Sequence, residues 1–301
     1  MVTKIALLRT RRGPARWLVA ATSALALAVA LPLPVAAADP VLVGAGDIAS
    51  CSSTGDSATA KLIAAVPGTV FTAGDNAYDQ GTPWQYANCY GPTWGQARAR
   101  TRPAAGNHEY VTAGAAGYFG YFGSRAGDPR RGYYAYNLGA WRIYVLNSNC
   151  AAVGGCGAGS PQETWLRHDL AANPRRCSLA YWHHPLYSSG EHGNNSFVRA
   201  FWSDLQAAHA ELVVNGHDHD YERFRRMTPS GAVSSLGIRE FVVGTGGRSH
   251  YPFGTIKPYS VVRNSTTYGV LKLTLHPTSY DWQFIPQAGR TFTDHGSAAC
   301  D

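Results

Sequence analysis

Asn215-Gly216-His217-Asp218-His219-Asp220-Tyr221-Glu222-Arg223 directly follows the apolar run Leu212-Val213-Val214. The apolar run is typical of a buried strand, and the polar residues after it indicate a loop. Such a loop would bring two imidazoles to one place, with a single residue between them. By itself a Gly-His-x-His sequence also fits a surface loop, so the rest of the chain has to supply further evidence.

Similar polar clusters occur upstream, and most of them also follow a short apolar run. They are Gly46-Asp47, Gly74-Asp75-Asn76-Ala77-Tyr78, Gly106-Asn107-His108-Glu109 and His183-His184-Pro185. Carboxylates, an amide, a phenol and imidazoles at successive strand ends are ligands for hard or borderline metal ions. The chain therefore carries the ingredients of a metal site.

Each of these residues, taken singly, has an ordinary structural explanation as a turn residue, a cap, a packed aromatic or a core histidine. Together that explanation fails, because the clusters occur where a parallel-type sheet places its functional loops. Seven potential ligands are too many for one ion and fit two ions that share a carboxylate. Such a pair acts on phosphorus and generates a hydroxide nucleophile near neutral pH. The candidates are Asp47, Asp75, Tyr78, Asn107, His183, His217 and His219.

Residues 1–38 have the pattern of a secretory signal peptide. A basic head precedes the apolar stretch Trp17 to Leu31, and Ala36-Ala37-Ala38 is a small-residue cleavage signal. An uncleaved anchor is the alternative, but the stretch is short for a bilayer span. Arg11-Arg12 leaves a twin-arginine route open beside the general secretory route. We expect a secreted protein whose mature chain is one domain, residues 39–301.

The basic charge of the whole chain belongs mostly to this leader. Without residues 1–38, 21 Lys and Arg face 19 Asp and Glu, a net charge near +2. The alternating Arg98, Arg100 and Arg102 suit the solvent-facing side of a strand better than a binding patch. From this small net charge we predict no nucleic-acid-binding module and no stable membrane anchor in the mature chain.

Six cysteines in an exported chain favour disulfides, and they allow 15 pairings. Cys150 and Cys156 bracket a glycine-rich loop and are the easiest pair. Cys51 and Cys89 each follow a candidate metal motif, so we expect them to be neighbours and to form a second pair. Cys177 and Cys300 would then form the third pair and tie the C-terminal tail to a strand. Thiolate ligation of a metal is the alternative, but the chain has no Cys-x-x-Cys spacing.

Hydrophobic periodicity predicts a mixture of strands and helices, as in mixed β-sheets flanked by helices. The predicted strands are Val41–Gly46, Thr69–Ala73, Gly132–Leu138, Trp141–Asn147, Ser178–Trp182, Ile238–Val243, Tyr268–Leu275 and Ser279–Phe284. The predicted helices are Ser57–Ala65, Ser160–Ala172 and Ser196–Ala210, with a helical turn at Pro83–Tyr90.

The five motifs, in this order, resemble the calcineurin-like metallophosphoesterases, and Gly74-Asp75-x-x-Tyr78 resembles the purple acid phosphatases. The resemblance runs from about Val41 to Phe284. Glu191-His192-Gly193 is similar to the small mammalian-type members. The resemblance implies an α/β fold, a four-layer α/β/β/α sandwich of two mixed sheets flanked by helices. It also implies a secreted acid-phosphatase-like hydrolase that attacks phosphomonoesters with a metal-bound hydroxide.

The family assigns a role to each matching residue. One ion, ferric iron, would take Asp47, Tyr78 and His219, and the second, Fe²⁺, Zn²⁺ or Mn²⁺, would take Asn107, His183 and His217. Asp75 would bridge them. His108 and His192 would hold the phosphate, with Asn107, and would act as general acids.

Two departures from the family pattern bear on these roles. Ala49 stands where Gly or His is frequent in the first motif, which places more of the acid role on His192. His183 is chosen over His184 as the ligand because the family pattern is His-x-Pro and Pro185 fixes the register. The fibronectin-like domain of the plant-type members does not occur in this sequence, so we expect a monomer.

Two other functions remain open. A phosphodiesterase or nucleotidase would use the same metal centre, and substrate loops would decide between these activities. A non-catalytic protein that binds metal or phosphate would not need His108 and His192. The sequence leaves open the physiological substrate, the pH optimum and the identity of the second metal.

Overall fold

The computed structural model describes residues 1–3, 5–15, 17–18 and 38–301. Residues 38–301 form one compact unit, and the described stretches before residue 19 have no regular secondary structure. The predicted signal peptide lies largely outside the described residues, so the leader and its boundary stay predictions. No helix in the described part of the chain is long and apolar enough to cross a membrane.

Strands and helices alternate through the first three quarters of this unit, and strands dominate its end. The strands are β1 (Val41–Ala45), β2 (Thr69–Ala73), β3 (Thr101–Ala104), β4 (Tyr134–Leu138), β5 (Trp141–Val145), β6 (Ser178–Tyr181), β7 (Leu212–Asn215), β8 (Tyr221–Met227), β9 (Ile238–Val243), β10 (Ser260–Asn264), β11 (Gly269–Leu275), β12 (Ser279–Pro286) and β13 (His295–Ala299). The α-helices are α1 (Gly55–Ala65), α2 (Pro83–Gln85), α3 (Asn107–Tyr110), α4 (Ala116–Phe122), α5 (Pro161–Ala172) and α6 (Arg199–Ala207).

The strands form two mixed sheets. The first sheet has the order β13-β12-β11-β1-β2-β3, and the second has the order β10-β8-β9-β7-β6-β5-β4. β1, β2 and β3 run parallel in the first sheet, as do β5, β6, β7 and β9 in the second. Two mixed sheets flanked by helices confirm the predicted fold class.

Side chains on the strands of the second sheet point alternately into two separate hydrophobic cores. Leu179 and Tyr181 of β6 belong to the large core that also contains apolar residues of the first sheet. Ala180, between them, belongs to a second core with Phe201 and Leu205 of α6. Because successive strand residues point to opposite faces, one face of this sheet packs on the other sheet and the other face packs on α5 and α6.

The local sequence fixes where α5 begins, and α6 is shorter than predicted. Ser160 caps α5 by accepting the backbone N–H of Glu163, and Pro161 occupies the first helical position. The predicted helix Ser196–Ala210 is instead a 3₁₀ turn followed by the shorter α6.

The prediction for the alternating arginines is wrong. Arg98 and Arg100 lie on a 3₁₀ helix, and only Arg102 lies on β3. Arg100 donates to the backbone carbonyls of Gly68 and Ile63, so its guanidinium caps local structure. β3 contains Pro103, which an edge strand tolerates because it needs fewer backbone donors.

The cysteines form three disulfides, Cys51–Cys89, Cys150–Cys156 and Cys177–Cys300. These are the predicted pairs. The last one joins the residue before β6 to the residue after β13, so it links the second sheet to the end of the first.

Candidate metal centre

The seven candidate ligands follow the carboxyl ends of parallel strands, at the edge where the two sheets meet. A backbone bond from Gly46 N–H to the Val243 carbonyl, 2.8 Å, joins the sheets there. The ligands come after β1 (Asp47), β2 (Asp75 and Tyr78), β3 (Asn107), β6 (His183) and β7 (His217 and His219). Functional loops in open α/β sheets occupy this position.

Three of these residues have a left-handed backbone that side chains other than glycine rarely adopt. The φ angles are 60° for Asp47, 49° for Asp75 and 74° for His217. Gly106 approaches Asp75 so closely that a Cβ there would lie 2.1 Å from Oδ1 of the carboxylate. Local strain and close approach of this kind concentrate at functional sites.

One group of donor atoms converges around the hydroxyl of Tyr78. This hydroxyl lies 2.8 Å from Oδ1 of Asp47 and 3.1 Å from Nε2 of His219. The Asp47 oxygen and the His219 nitrogen are themselves 3.3 Å apart. Nδ1 of His219 lies 2.7 Å from the hydroxyl of Ser249, which fixes the ring so that Nε2 points at the group.

A second group converges around Nε2 of His183. This nitrogen lies 2.9 Å from Oδ1 of Asn107 and 3.3 Å from Nδ1 of His217. Nδ1 of His183 donates to the Ala73 carbonyl at 2.9 Å, which orients the imidazole.

Asp75 belongs to both groups through one atom. Its Oδ2 lies 3.1 Å from the Tyr78 hydroxyl and 3.2 Å from Nε2 of His183. Seven oxygen and nitrogen donors, in two groups with a shared carboxylate, fit two cations by number and by chemistry.

Burial and the neighbouring carboxylates shift the pKa values of groups in the centre. Burial lowers the pKa of His183, but the Asp75 carboxylate outweighs it and raises that pKa to about 9. Burial raises the pKa of Tyr78 well above its ordinary value, and the carboxylates of Asp47 and Asp75 add to this effect. Cations that bind here must therefore displace protons.

His108 and His192 lie beside the two groups. Nε2 of His108 is 3.8 Å from Oδ2 of Asp75, and its Nδ1 lies 2.5 Å from the Asp79 carbonyl. The His192 ring stacks on His217 with centroids 4.5 Å apart. Both rings are accessible, unlike the buried His183.

Glu109, for which no role was predicted, is buried at the centre of this network. Its carboxylate accepts the backbone N–H groups of Asp75 and Asn76, both at 2.9 Å, and of Gly106 at 2.7 Å. It also accepts the Tyr86 hydroxyl at 3.0 Å. A glutamate three residues after the N-cap is a capping signal that could have indicated the bond to Gly106, but not the bonds to the distant Asp75 and Asn76.

His184, which was set aside in favour of His183 as the ligand, also lies near the centre. Ligand atoms of His183, His184 and His217 lie within 4.8 Å of one another, and so do those of Asp47, Asp75 and His183. Nδ1 of His184 is held at 2.7 Å by the Ser148 hydroxyl. Burial and the nearby His183 lower the pKa of His184 to about 3, so this ring is neutral.

Comparison with known proteins agrees with the fold. The family model described as calcineurin-like phosphoesterase matches residues 41–221. An uncharacterised protein of Mycobacterium tuberculosis is 33% identical over 144 residues, which are 40% of this chain and 27% of the relative. Purple acid phosphatase 15 of Arabidopsis thaliana is 28% identical over 155 residues, 47% of this chain and 28% of the relative. The chain thus spans little more than a quarter of the length of these curated relatives.

Solved structures share the same architecture. Purple acid phosphatase PPD1 from yellow lupin superposes with a TM-score of 0.68 at 20% identity, over 86% of this chain and 53% of that one. GAP50, described as the anchor in the inner membrane complex of Plasmodium, also gives 0.68, at 12% identity, over 88% and 90% of the chains. At these identities the matches show a common fold.

Proposed function

The chain belongs to the calcineurin-like phosphoesterase family, and on that premise we propose that it is an exported phosphatase that hydrolyses phosphomonoesters at a two-metal centre. One observation carries the proposal. Oδ2 of Asp75 lies within 3.2 Å of a donor from each of the two groups, the Tyr78 hydroxyl and Nε2 of His183. A carboxylate placed in this way could be shared by two neighbouring cations.

The proposed assignment follows the two groups of donors. Asp47, Tyr78 and His219 would hold one ion, and Asn107, His183 and His217 would hold the other. When bound, the ions would polarise the phosphoryl oxygens and acidify a water molecule to provide the nucleophile. A phenol next to two carboxylates favours a trivalent ion at the first position, and iron is our proposal there.

Two histidines supply the remaining chemistry. When the P–O bond of a phosphomonoester breaks, the departing alkoxide or phenoxide oxygen needs a proton unless it is a good leaving group. His192 stacks on the edge of the centre and is accessible, so it can reach a leaving oxygen. Nδ1 of His108 donates to the Asp79 carbonyl, so the protonated imidazolium would have its second N–H, at Nε2, available for a phosphate oxygen.

Three disulfides support export, because such bonds persist in oxidising compartments. We propose that the protein acts outside the cytoplasm, as a monomer, on small phosphate esters. A fold alone does not establish activity, so a non-catalytic binding protein is the outcome to exclude.

The deciding experiment compares Asp75→Asn with Asp47→Asn. Asp75→Asn should lose metal from both positions and lower kcat by several orders of magnitude, whereas Asp47→Asn should mainly empty one position. Asp169→Asn is the matched control, since Asp169 pairs with Arg142 on the far side of the second sheet. Elemental analysis with steady-state rates gives both readouts. Full metal content and wild-type turnover in Asp75→Asn would overturn the two-metal proposal.

Substrate class needs a separate measurement. Rates with para-nitrophenyl phosphate and with its bis ester distinguish a monoesterase from a diesterase with the same centre. We expect a clear preference for the monoester. A larger kcat/KM for the bis ester would make the phosphodiesterase the better description.

A further inference from the structure

The residue between the histidines of the last motif, Asp218, turns its side chain away from the donor groups. It is fully buried. Oδ1 accepts the backbone N–H of His192 at 2.8 Å, and Oδ2 accepts the hydroxyl of Ser188. One carboxylate therefore connects the turn that carries His217 and His219 with the loop that carries His192.

Ser188 extends this connection along the loop. Its hydroxyl donates to Asp218 and also accepts the backbone N–H of Gly190 at 2.9 Å. The backbone N–H of Ser188 is in turn bonded to Oδ1 of Asn194 at 3.0 Å. Both ends of the segment 188–194 are thus tied into the same hydrogen-bond chain.

Gly190 shows how closely the loop and the carboxylate pack. A Cβ at this position would lie 2.3 Å from Cγ of Asp218. The φ angle of Gly190 is not in the left-handed region, so an alanine there is opposed by the Asp218 carboxyl and not by the backbone. A glycine is required because the loop touches Asp218.

His192 has few other contacts that could fix its position. The residue is exposed, and its ring contacts are with His217 at 4.5 Å and Tyr251 at 5.5 Å between centroids. Ring stacking of this kind restrains a side chain weakly. The backbone bond to Asp218 is therefore the strongest restraint on where this imidazole lies.

We propose that Asp218 is a positioning residue that holds the segment 188–194 against the turn that carries His217 and His219 and thereby aligns His192 with the leaving group. The proposal rests on the proposed function, in which His192 is the general acid. A displacement of about 1 Å in a reacting group costs on the order of 10²-fold in rate. Loss of the Asp218 carboxylate should have an effect of that size, although Asp218 is not one of the seven candidate ligands and its carboxylate bonds to His192 N–H and Ser188.

The test uses Asp218→Ala and Asp218→Asn in the full chain. Both variants should keep the metal content of the wild type. In Asp218→Ala the rate with a simple alkyl phosphate should fall about 10²-fold, and the rate with an activated aryl phosphate should fall much less. Asp218→Asn should be milder, because an amide oxygen still accepts the His192 N–H. Asp169→Asn serves as the control and should change neither rate.

Amide hydrogen exchange gives a readout that does not depend on turnover. The amide of His192 should exchange faster in Asp218→Ala than in the wild type, in metal-free and in metal-loaded protein alike. Gly190→Ala provides a second route in case Asp218→Ala does not fold, since its Cβ would push the loop from the intact carboxylate. It should show the same faster exchange and the same dependence on the leaving group.

The results separate two kinds of failure. Wild-type exchange at His192 in Asp218→Ala and Gly190→Ala would overturn the positioning role. Independent, multiplicative losses in Asp218→Ala combined with His192→Ala would overturn it too, because a residue that acts through His192 should cost little once His192 is absent. If His192→Ala alone shows no dependence on the leaving group, the acid role in the proposed function fails, while exchange still decides whether Asp218 holds the loop.

Discussion

The side chain of Glu109 is hydrogen-bonded to the backbone of Asp75, because its Oε2 accepts the Asp75 N–H at 2.9 Å. The same oxygen accepts Gly106 N–H at 2.7 Å. A single buried carboxylate thus fixes the distance between the turn that carries Asp75 and the turn that carries Asn107. Burial raises the pKa of Glu109, and the Asp75 carboxylate adds to this effect.

Glu109→Gln should weaken both the fold and the centre. The amide would present N–H groups to backbone donors, and hydrogen bonds to a charged group contribute about 1.5–3 kcal/mol. We expect a loss of about 3 kcal/mol in the free energy of unfolding and a reduced metal content. Urea unfolding and elemental analysis measure the two effects. A Glu109→Gln protein as stable and as metal-rich as the wild type would contradict the role.

His192→Ala should keep both metals yet lose rate. General acid catalysis contributes roughly 10²–10⁴-fold, and the loss should be largest with alkyl phosphates, whose leaving oxygen needs the proton most. Rates over a series of leaving groups measure this. His168→Ala changes an exposed histidine far from the centre in α5 and should have no effect. An equal loss for aryl and alkyl esters would refute the acid role.

Tyr78→Phe should remove a visible absorption band from the oxidised, iron-loaded protein. Burial raises the pKa of this phenol well above 10, so only a strongly charged ion would ionise it. The resemblance to purple acid phosphatases implies that the tyrosinate bound to ferric iron absorbs visible light. Moderate activity should survive, because Asp47, Asp75 and His219 remain. A colourless, iron-free and fully active native protein would instead favour zinc or manganese.

Glu211 should make stability depend on pH. It is 1% exposed, and burial raises its pKa from 4.5 to about 7, although the Asp301 N–H and the Arg226 guanidinium partly offset this. Between these values the folded state holds a proton that the unfolded state has lost. The contribution of Glu211 to the free energy of unfolding is fully present below about pH 4.5. It falls by up to about 1.4 kcal/mol per pH unit as the pH rises to about 7.

Glu211→Gln removes that titration. The stability of the variant relative to the wild type should therefore grow between pH 5 and pH 7. Urea unfolding at several pH values measures the difference, and a difference that stays constant over this range would show that Glu211 titrates normally.

Two strands whose residues are mostly buried were predicted to the residue. Thr69–Ala73 and Ile238–Val243 have the predicted bounds. β8 was not predicted because Glu222, Arg223 and two further arginines give it a polar sequence. Its buried Glu222 is satisfied by Ser189 and Ser260, which lie far away in the chain.

The candidate site was predictable to the extent that its residues follow strands. The structure brings the seven candidate ligands together, and their role in binding metal stays a prediction. Glu109 and Asp218 escaped prediction for a common reason. Both bond to backbone groups of distant segments, and such pairings have no periodic signature in one sequence.

The pairing of β1 with β11 has a consequence for how the protein matures. Val41 to Gly44 pair with Leu271 to Thr274, so the strand that presents Asp47 acquires one of its two neighbours from the other end of the domain. Pairings across such a sequence distance form late and slowly. Until residues 271–274 have been synthesised, β1 lacks this neighbour in the first sheet. We therefore expect metal loading to be the closing event of maturation, one that depends on the compartment in which folding finishes.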